Sequence, residues 1–211
     1  MELDRRPGCF FDVTVRVAIK RSRDSAAEAR RLLEAGFPGP AYIWAVRSIE
    51  IFVKEVMLLP LFLIEIEGKP DEFDRVWGEA WQRIRDSFGS GRWDGALRKV
   101  DEAFGPLAPM RTDDGKDVWS EWKSSVVPRR GDTVHGRPTE NGDPSPAEAA
   151  QVVQWADQMM DQLTLRLIAT GTHPLHDLFV AAFDSAAEAY RAAEAARVEQ
   201  GAIGSAPPIS G

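Results

Sequence analysis

The sequence predicts an all-α protein, and three observations carry that expectation. Apolar residues recur at the helical period over long windows, most regularly at Phe73, Val76, Trp77, Ala80, Trp81, Ile84 and Phe88. Helix start and stop signals are frequent; Ser145-Pro146-Ala147-Glu148 combines a capping box with proline at the first helical position. Strand signals are scarce in comparison.

Taken in order, Phe10 to Ile19 alternates weakly and fits either a short strand or a first helix. Asp24-Ser25-Ala26-Ala27-Glu28 has the form of a capping box and is expected to open a helix that Gly36 ends. Pro40 sits near the start of a second helix, predicted to stop at about Leu59 because Pro60 has no amide proton to continue it. The apolar run that begins at Ile49 then passes into a strand-like or irregular piece ending at Ile66. Asp71 opens a third helix, a shorter one spans Trp93 to Phe104, and Gly105 to Gly115 is a loop. Asp117 to Val127 is again helical, with Trp119, Trp122 and Val126 on one face. A helix from Ser145 to about Ala169, an alanine-rich one over Pro174 to Val198 and a frayed tail complete the chain. The tryptophans lie on apolar stripes and are expected in the core or in an interface.

With 211 residues, the chain suits a single domain over residues 1–200 with a flexible tail at 201–211. Cys9 is the lone cysteine and cannot form an internal disulfide, and no Cys/His cluster has zinc spacing, so no metal or cofactor is expected. A reducing, cytoplasmic setting fits. The opening residues lack the apolar run of a signal peptide, and charges and a proline interrupt the stretch Ile49 to Ile66, which argues against a membrane span. A net charge of −7 excludes a protein that coats nucleic acid with its whole surface. The charge is uneven, however: Lys123, Arg129, Arg130 and Arg137 against Asp132 make Trp122 to Pro138 locally +3, which leaves −10 elsewhere. A polyanion would be met there.

That basic segment also carries the candidate chemistry. Arg130 stands five residues before His135, and Gly136 follows as a helix-ending glycine would. The spacing alone is weak, since Arg166 lies seven residues before His173. Context distinguishes the two. A helix C-terminus holds a histidine near its physiological titration range, a guanidinium fork matches a phosphate, and an imidazole suits proton transfer to or from a ribose 2′-hydroxyl. Arg129 and Arg137 add positive charge for substrate, with Arg129 the alternative to Arg130. A solvated basic turn and a histidine capping its own helix are the plain readings of the same residues.

Arg130-Gly131-Asp132-Thr133-Val134-His135-Gly136, followed by the capped helix at Ser145, resembles the signature of the HEPN (higher eukaryote and prokaryote nucleotide-binding) family. Ala45 to Val56, with Glu50 and Lys54, is similar to that family's second core helix. The resemblance covers a core of about residues 24–169, with residues 71–110 as an inserted helical pair and the last helix as an addition. It implies a helical bundle and, in many members, a metal-independent endoribonuclease of toxin–antitoxin or phage-defence systems that builds its site across a homodimer. On that basis Arg130 and His135 are catalytic, Arg129 and Arg137 bind substrate, and Glu50, Gly131 and Asp132 support them. An RNA substrate and an antitoxin or defence-system partner are then expected. Two positions depart from the pattern: Gly131 replaces a residue that is commonly polar, and Arg137 stands where one toxin subgroup carries a modified tyrosine. Gly131 favours a catalytically silent module that binds RNA, nucleotide or protein. The acidic, alanine-rich last helix also suits a purely helical oligomerisation protein.

Overall fold

The computed structural model describes residues 7–66, 72–88, 93–106, 108–135 and 143–169. Among these residues the fold is all-α, and the only extended pairing is an isolated bridge between Arg111 and Asp117. The helices are α1 (Pro7–Glu34), α2 (Pro38–Ile51), α3 (Leu59–Glu65), α4 (Phe73–Ser87), α5 (Asp94–Phe104), α6 (Val118–Glu121), α7 (Val127–His135) and α8 (Pro146–Ala169). Two wide-turn segments, Phe52–Leu58 and Trp122–Val126, join α2 to α3 and α6 to α7 without a break.

The ambiguity at Phe10 to Ile19 resolves to helix, because α1 runs unbroken for 28 residues. Its buried positions Val15, Ala18, Ile19, Ser22, Ala26 and Ala29 follow the helical period, which overrides the local alternation of β-branched residues. The expected helix start at Asp24-Ser25 is corrected: both residues lie inside α1. Ser25 donates to the Arg21 carbonyl at 2.8 Å, while Asp24 pairs with Lys20 and Glu28 with Arg31. The residues of a capping box are thus used within the helix instead. Gly36 ends the α1 turn as expected, with φ +80° and its amide on the Leu33 carbonyl.

The stop at Pro60 is a second correction. The chain stays helical to Glu65, and the strand-like piece expected before Ile66 does not form. A proline in a helix cannot donate to, and clashes with, the carbonyl four residues back. Here the turn before it is widened, so that the Leu59 amide reaches the Lys54 carbonyl five residues back. The same device recurs before Pro128, where the Val127 amide reaches the Trp122 carbonyl.

The rod α2–α3 is the centre of the molecule. It packs against α1, α8 and α7 at one end and against α4 and α5 at the other. It is correspondingly apolar through its middle: Ile51, Phe52, Val53, Val56, Met57, Leu58, Leu59, Leu61 and Phe62 are all buried, while Arg47, Glu50, Lys54 and Glu55 form a polar edge. The segment expected as an insertion provides α4 and α5, and Ala80, Ile84, Trp93, Ala96, Val100 and Phe104 belong to the same buried cluster as α1, α2 and α8. Trp93 meets Trp122 edge-on at 6.5 Å between ring centres, and Phe88 meets Trp93 at 5.4 Å. These aromatic pairs dock α5 onto the segment that leads into α7. The capping box before α8 forms as expected, with the Ser145 amide on Glu148 at 2.8 Å and the Glu148 amide on the Ser145 hydroxyl at 3.3 Å. The last expected helix and the tail lie outside the described residues. Among the described residues, no helix is long and apolar enough to cross a membrane.

Candidate functional site

α7 carries the candidate motif, and its orientation follows from the residues before it. Asp117 caps α6 by accepting from the Ser120 amide at 2.8 Å, and Val118, Trp119, Trp122 and Val126 are buried. Arg129 and Arg130 lie three and four residues past Val126 and so share its inward face. Their guanidiniums are carried toward α2 and α8 rather than into a solvated turn.

Three contacts fix α7 there. The Tyr42 hydroxyl of α2 donates to the Val126 carbonyl at 3.1 Å. Arg130 Nη2 lies 3.4 Å from Glu50 Oε2, across two half-buried side chains. Arg129 Nη2 lies 3.4 Å from Glu148 Oε2, so the carboxylate that caps α8 also pairs with the motif helix. Glu50 on α2 thus meets the motif helix 80 residues further along the chain. Glu50 is shared, because Lys54 Nζ is 3.9 Å from the same oxygen, and the Lys54 ammonium lies 4.5 Å over the Phe88 ring. The Arg130 Nε is buried without a hydrogen-bond partner among the described residues.

The electrostatics follow from these neighbours. Hydrogen bonds from the Ser145 amide and hydroxyl, with Arg129 nearby, hold the Glu148 carboxyl below the usual carboxylate range. Burial pushes the Tyr42 phenol well above its usual range; Arg129 opposes that shift and Glu148 adds to it. One turn past Glu50, burial raises the Glu55 carboxyl, against the pull of Arg21 at 2.6 Å and of Arg47 and Lys54.

His135 is the last described residue of α7, but its side chain lies outside the described part of the structure, as do Gly136, Arg137, His173 and His176. Gly131 is helical, and a side chain at that position would meet open space. Asp132 is half-buried on α7. Thr133 donates to the Arg129 carbonyl at 2.9 Å and lines an open cleft of about 420 Å³ with the α1–α2 turn (Gly36 to Pro40), Ile43 and Asp143.

Sequence reasoning missed Tyr42, Thr133 and the second role of Glu148. A tyrosine within an apolar stripe reads as packing, and a capping glutamate reads as local; the partners that give them roles lie 84 and 19 residues away. Among the described residues, no group of three or more His, Cys, Asp or Glu is placed to hold a metal ion. Compared with protein-family models, curated proteins and solved structures, the chain matches none of them.

Proposed function

We propose that the chain is a metal-independent endoribonuclease of HEPN type, with Arg130 and His135 as its catalytic pair. The observation that supports this most is the contact of Glu50 with Arg130, which holds a guanidinium on the helix that carries His135. In the proposed reaction His135 takes the proton of a ribose 2′-hydroxyl. The 2′-oxygen bonds to the adjacent phosphorus, the P–O5′ bond breaks, and the departing 5′-oxygen receives the proton that the imidazole took up, which returns His135 to its starting form. Arg130 stabilises the charge that develops on the phosphoryl oxygens. Arg129 and Arg137 contribute positive charge for the backbone, and a second copy brings a second motif to the same phosphate. A toxin or defence role, with an antitoxin or similar partner in the cytoplasm, is the setting that the resemblance implies.

The test is cleavage of single-stranded RNA by the EDTA-treated full chain. Products should end in 2′,3′-cyclic phosphate and 5′-hydroxyl, and DNA, which lacks the 2′-hydroxyl, should stay intact. His135→Ala and Arg130→Ala should each slow cutting by about a hundredfold or more. A requirement for added magnesium, or a His135→Ala protein as fast as the parent, would end this reading.

The second reading is a catalytically silent module of the same type. Gly131 favours it, since it stands beside Arg130 without a side chain that could hydrogen-bond there. RNA binding without cutting by the parent would establish it. Gly131→Asn then restores the family's common residue into open space, so any gain of activity reports on chemistry rather than packing.

A further inference from the structure

The cleft beside α7 has a chemical character of its own. The α1–α2 turn lines it, and there Phe37 keeps 56% of its surface exposed between Gly36 and Pro38. A large, rigid aromatic left this open in a turn is uncommon, because its burial is favourable. Pro40 and Ile43 continue the apolar surface. Two polar residues, Thr133 and Asp143, line the same cleft. The Thr133 hydroxyl spends its proton on the Arg129 carbonyl, which leaves its lone pairs to accept. The exposed carboxylate of Asp143 makes no hydrogen bond to a described residue. Thr133 lies on α7 between Arg130 and His135, so the cleft borders the candidate catalytic helix.

We infer that this cleft is a nucleobase subsite selective for guanine, with Phe37 as the stacking surface and Asp143 as the reader of the base edge. The inference rests on the reading of the chain as an RNA-cutting protein and names the nucleotide it would cut beside. Unpaired RNA bases are recognised by stacking on aromatic rings and by hydrogen bonds to their Watson–Crick edges. Guanine alone among the four presents two adjacent donors on that edge, N1–H and the N2 amino group, and a carboxylate presents two acceptors at matching spacing. Adenine and cytosine place a ring-nitrogen acceptor beside their amino group, which a carboxylate repels. Uracil places its single N–H between two carbonyls. The same negative charge that rejects a phosphate therefore selects one base, while Arg130 on the neighbouring surface attends to the backbone.

Isothermal titration of the full chain with guanosine, inosine and adenosine 3′-monophosphates tests this directly. Guanosine should bind at least about tenfold tighter than adenosine, and inosine, which keeps N1–H but lacks the amino group, should fall between them. Asp143→Asn should erase the guanine preference while leaving the melting temperature unchanged, because the residue is exposed. Phe37→Ala should weaken the three nucleotides alike, by about tenfold. The proposal is overturned if the three nucleotides bind equally, if none binds, or if the preference survives in Asp143→Asn. RNA cut without bias toward guanosine removes the base subsite and leaves the ribonuclease reading standing. Guanine-selective binding by a protein that never cuts RNA removes the ribonuclease reading and leaves the subsite standing.

Discussion

Tyr42 ties the candidate catalytic helix to the core through one hydroxyl. Its ring is 2% exposed, and its proton is donated to the Val126 carbonyl, four residues before Arg130. Tyr42→Phe keeps the packing and removes that bond, leaving the carbonyl without the phenol in a buried setting. The expected loss is about 1 kcal/mol at neutral pH, readable as a lower melting temperature. The pH dependence adds a second readout. Burial holds the folded-state pKa of Tyr42 above its unfolded value. The folded protein thus keeps the proton longer, and the associated stability is complete below about pH 10 and is lost as pH rises beyond it. The difference in stability between parent and Tyr42→Phe should therefore shrink in alkaline solution. A difference that stays constant from pH 7 to pH 11 contradicts the role given to the hydroxyl. At this scale the sequence marked Glu50 as a supporting residue without naming its partner; in the structure its Oε2 lies 3.4 Å from Arg130 and 3.9 Å from Lys54. Arg129 was less readable, because only the fold brings Glu148 to it.

Local capping chemistry was legible at α8 but misled at Asp24-Ser25, where α1 runs through the same pattern because its buried face continues on both sides. Ser145, Pro146 and Glu148 define the start of α8 locally, and Gly36 ends the α1 turn by its left-handed conformation. Pro60 misleads because the rule it invokes assumes a regular helix. A wide turn on its N-terminal side removes the need for its amide proton, and burial of Phe52, Val53, Val56, Met57 and Leu58 stabilises the extra residue in that turn. The recurrence before Pro128 means that α7, and Arg130 with it, is aimed by the same device. Where two elements touch through backbone alone, the sequence shows only a glycine. Gly95, in the first turn of α5, would place a Cβ 2.5 Å from the Ser87 carbonyl oxygen at the end of α4. Neither group is the flexible end of a side chain, so one helix must shift. Gly95→Ala should cost about 1–3 kcal/mol in chemical denaturation, although alanine is the better helix former. Gly131→Ala is the contrasting case: it lies mid-helix in open space, and the same assay should find it neutral or more stable by about 0.5–1 kcal/mol. Equal effects at the two positions would refute the close approach of α4 and α5.

At the scale of the whole molecule, charge argues for more than one copy at the proposed site. The segment Trp122 to Pro138 carries +3 in a chain of −7, and two of its arginines are already held by Glu50 and Glu148. One protomer therefore offers little uncompensated positive charge to an RNA backbone, whereas two motifs facing each other double it around a single phosphate. The surface beside the motif suits such a contact. Val134, in the last turn of α7, is 47% exposed, one of five large apolar side chains left in solvent among the described residues. A two-fold axis near α7 would bury Val134 against the same face of the partner copy, beside the guanidiniums rather than over them. Light scattering at micromolar concentration should then report about twice 23.4 kDa. Val134→Glu places like charges on both sides of that axis and should give a monomer. The monomer should melt within about 2 °C of the parent if dimerisation adds little to the measured transition, since an exposed residue has little influence on its own helix bundle. If the motif is composite, this folded monomer should bind RNA weakly and cut none. A parent chain that is strictly monomeric, or a Val134→Glu monomer that cleaves RNA at the parental rate, would show that one protomer holds the whole site.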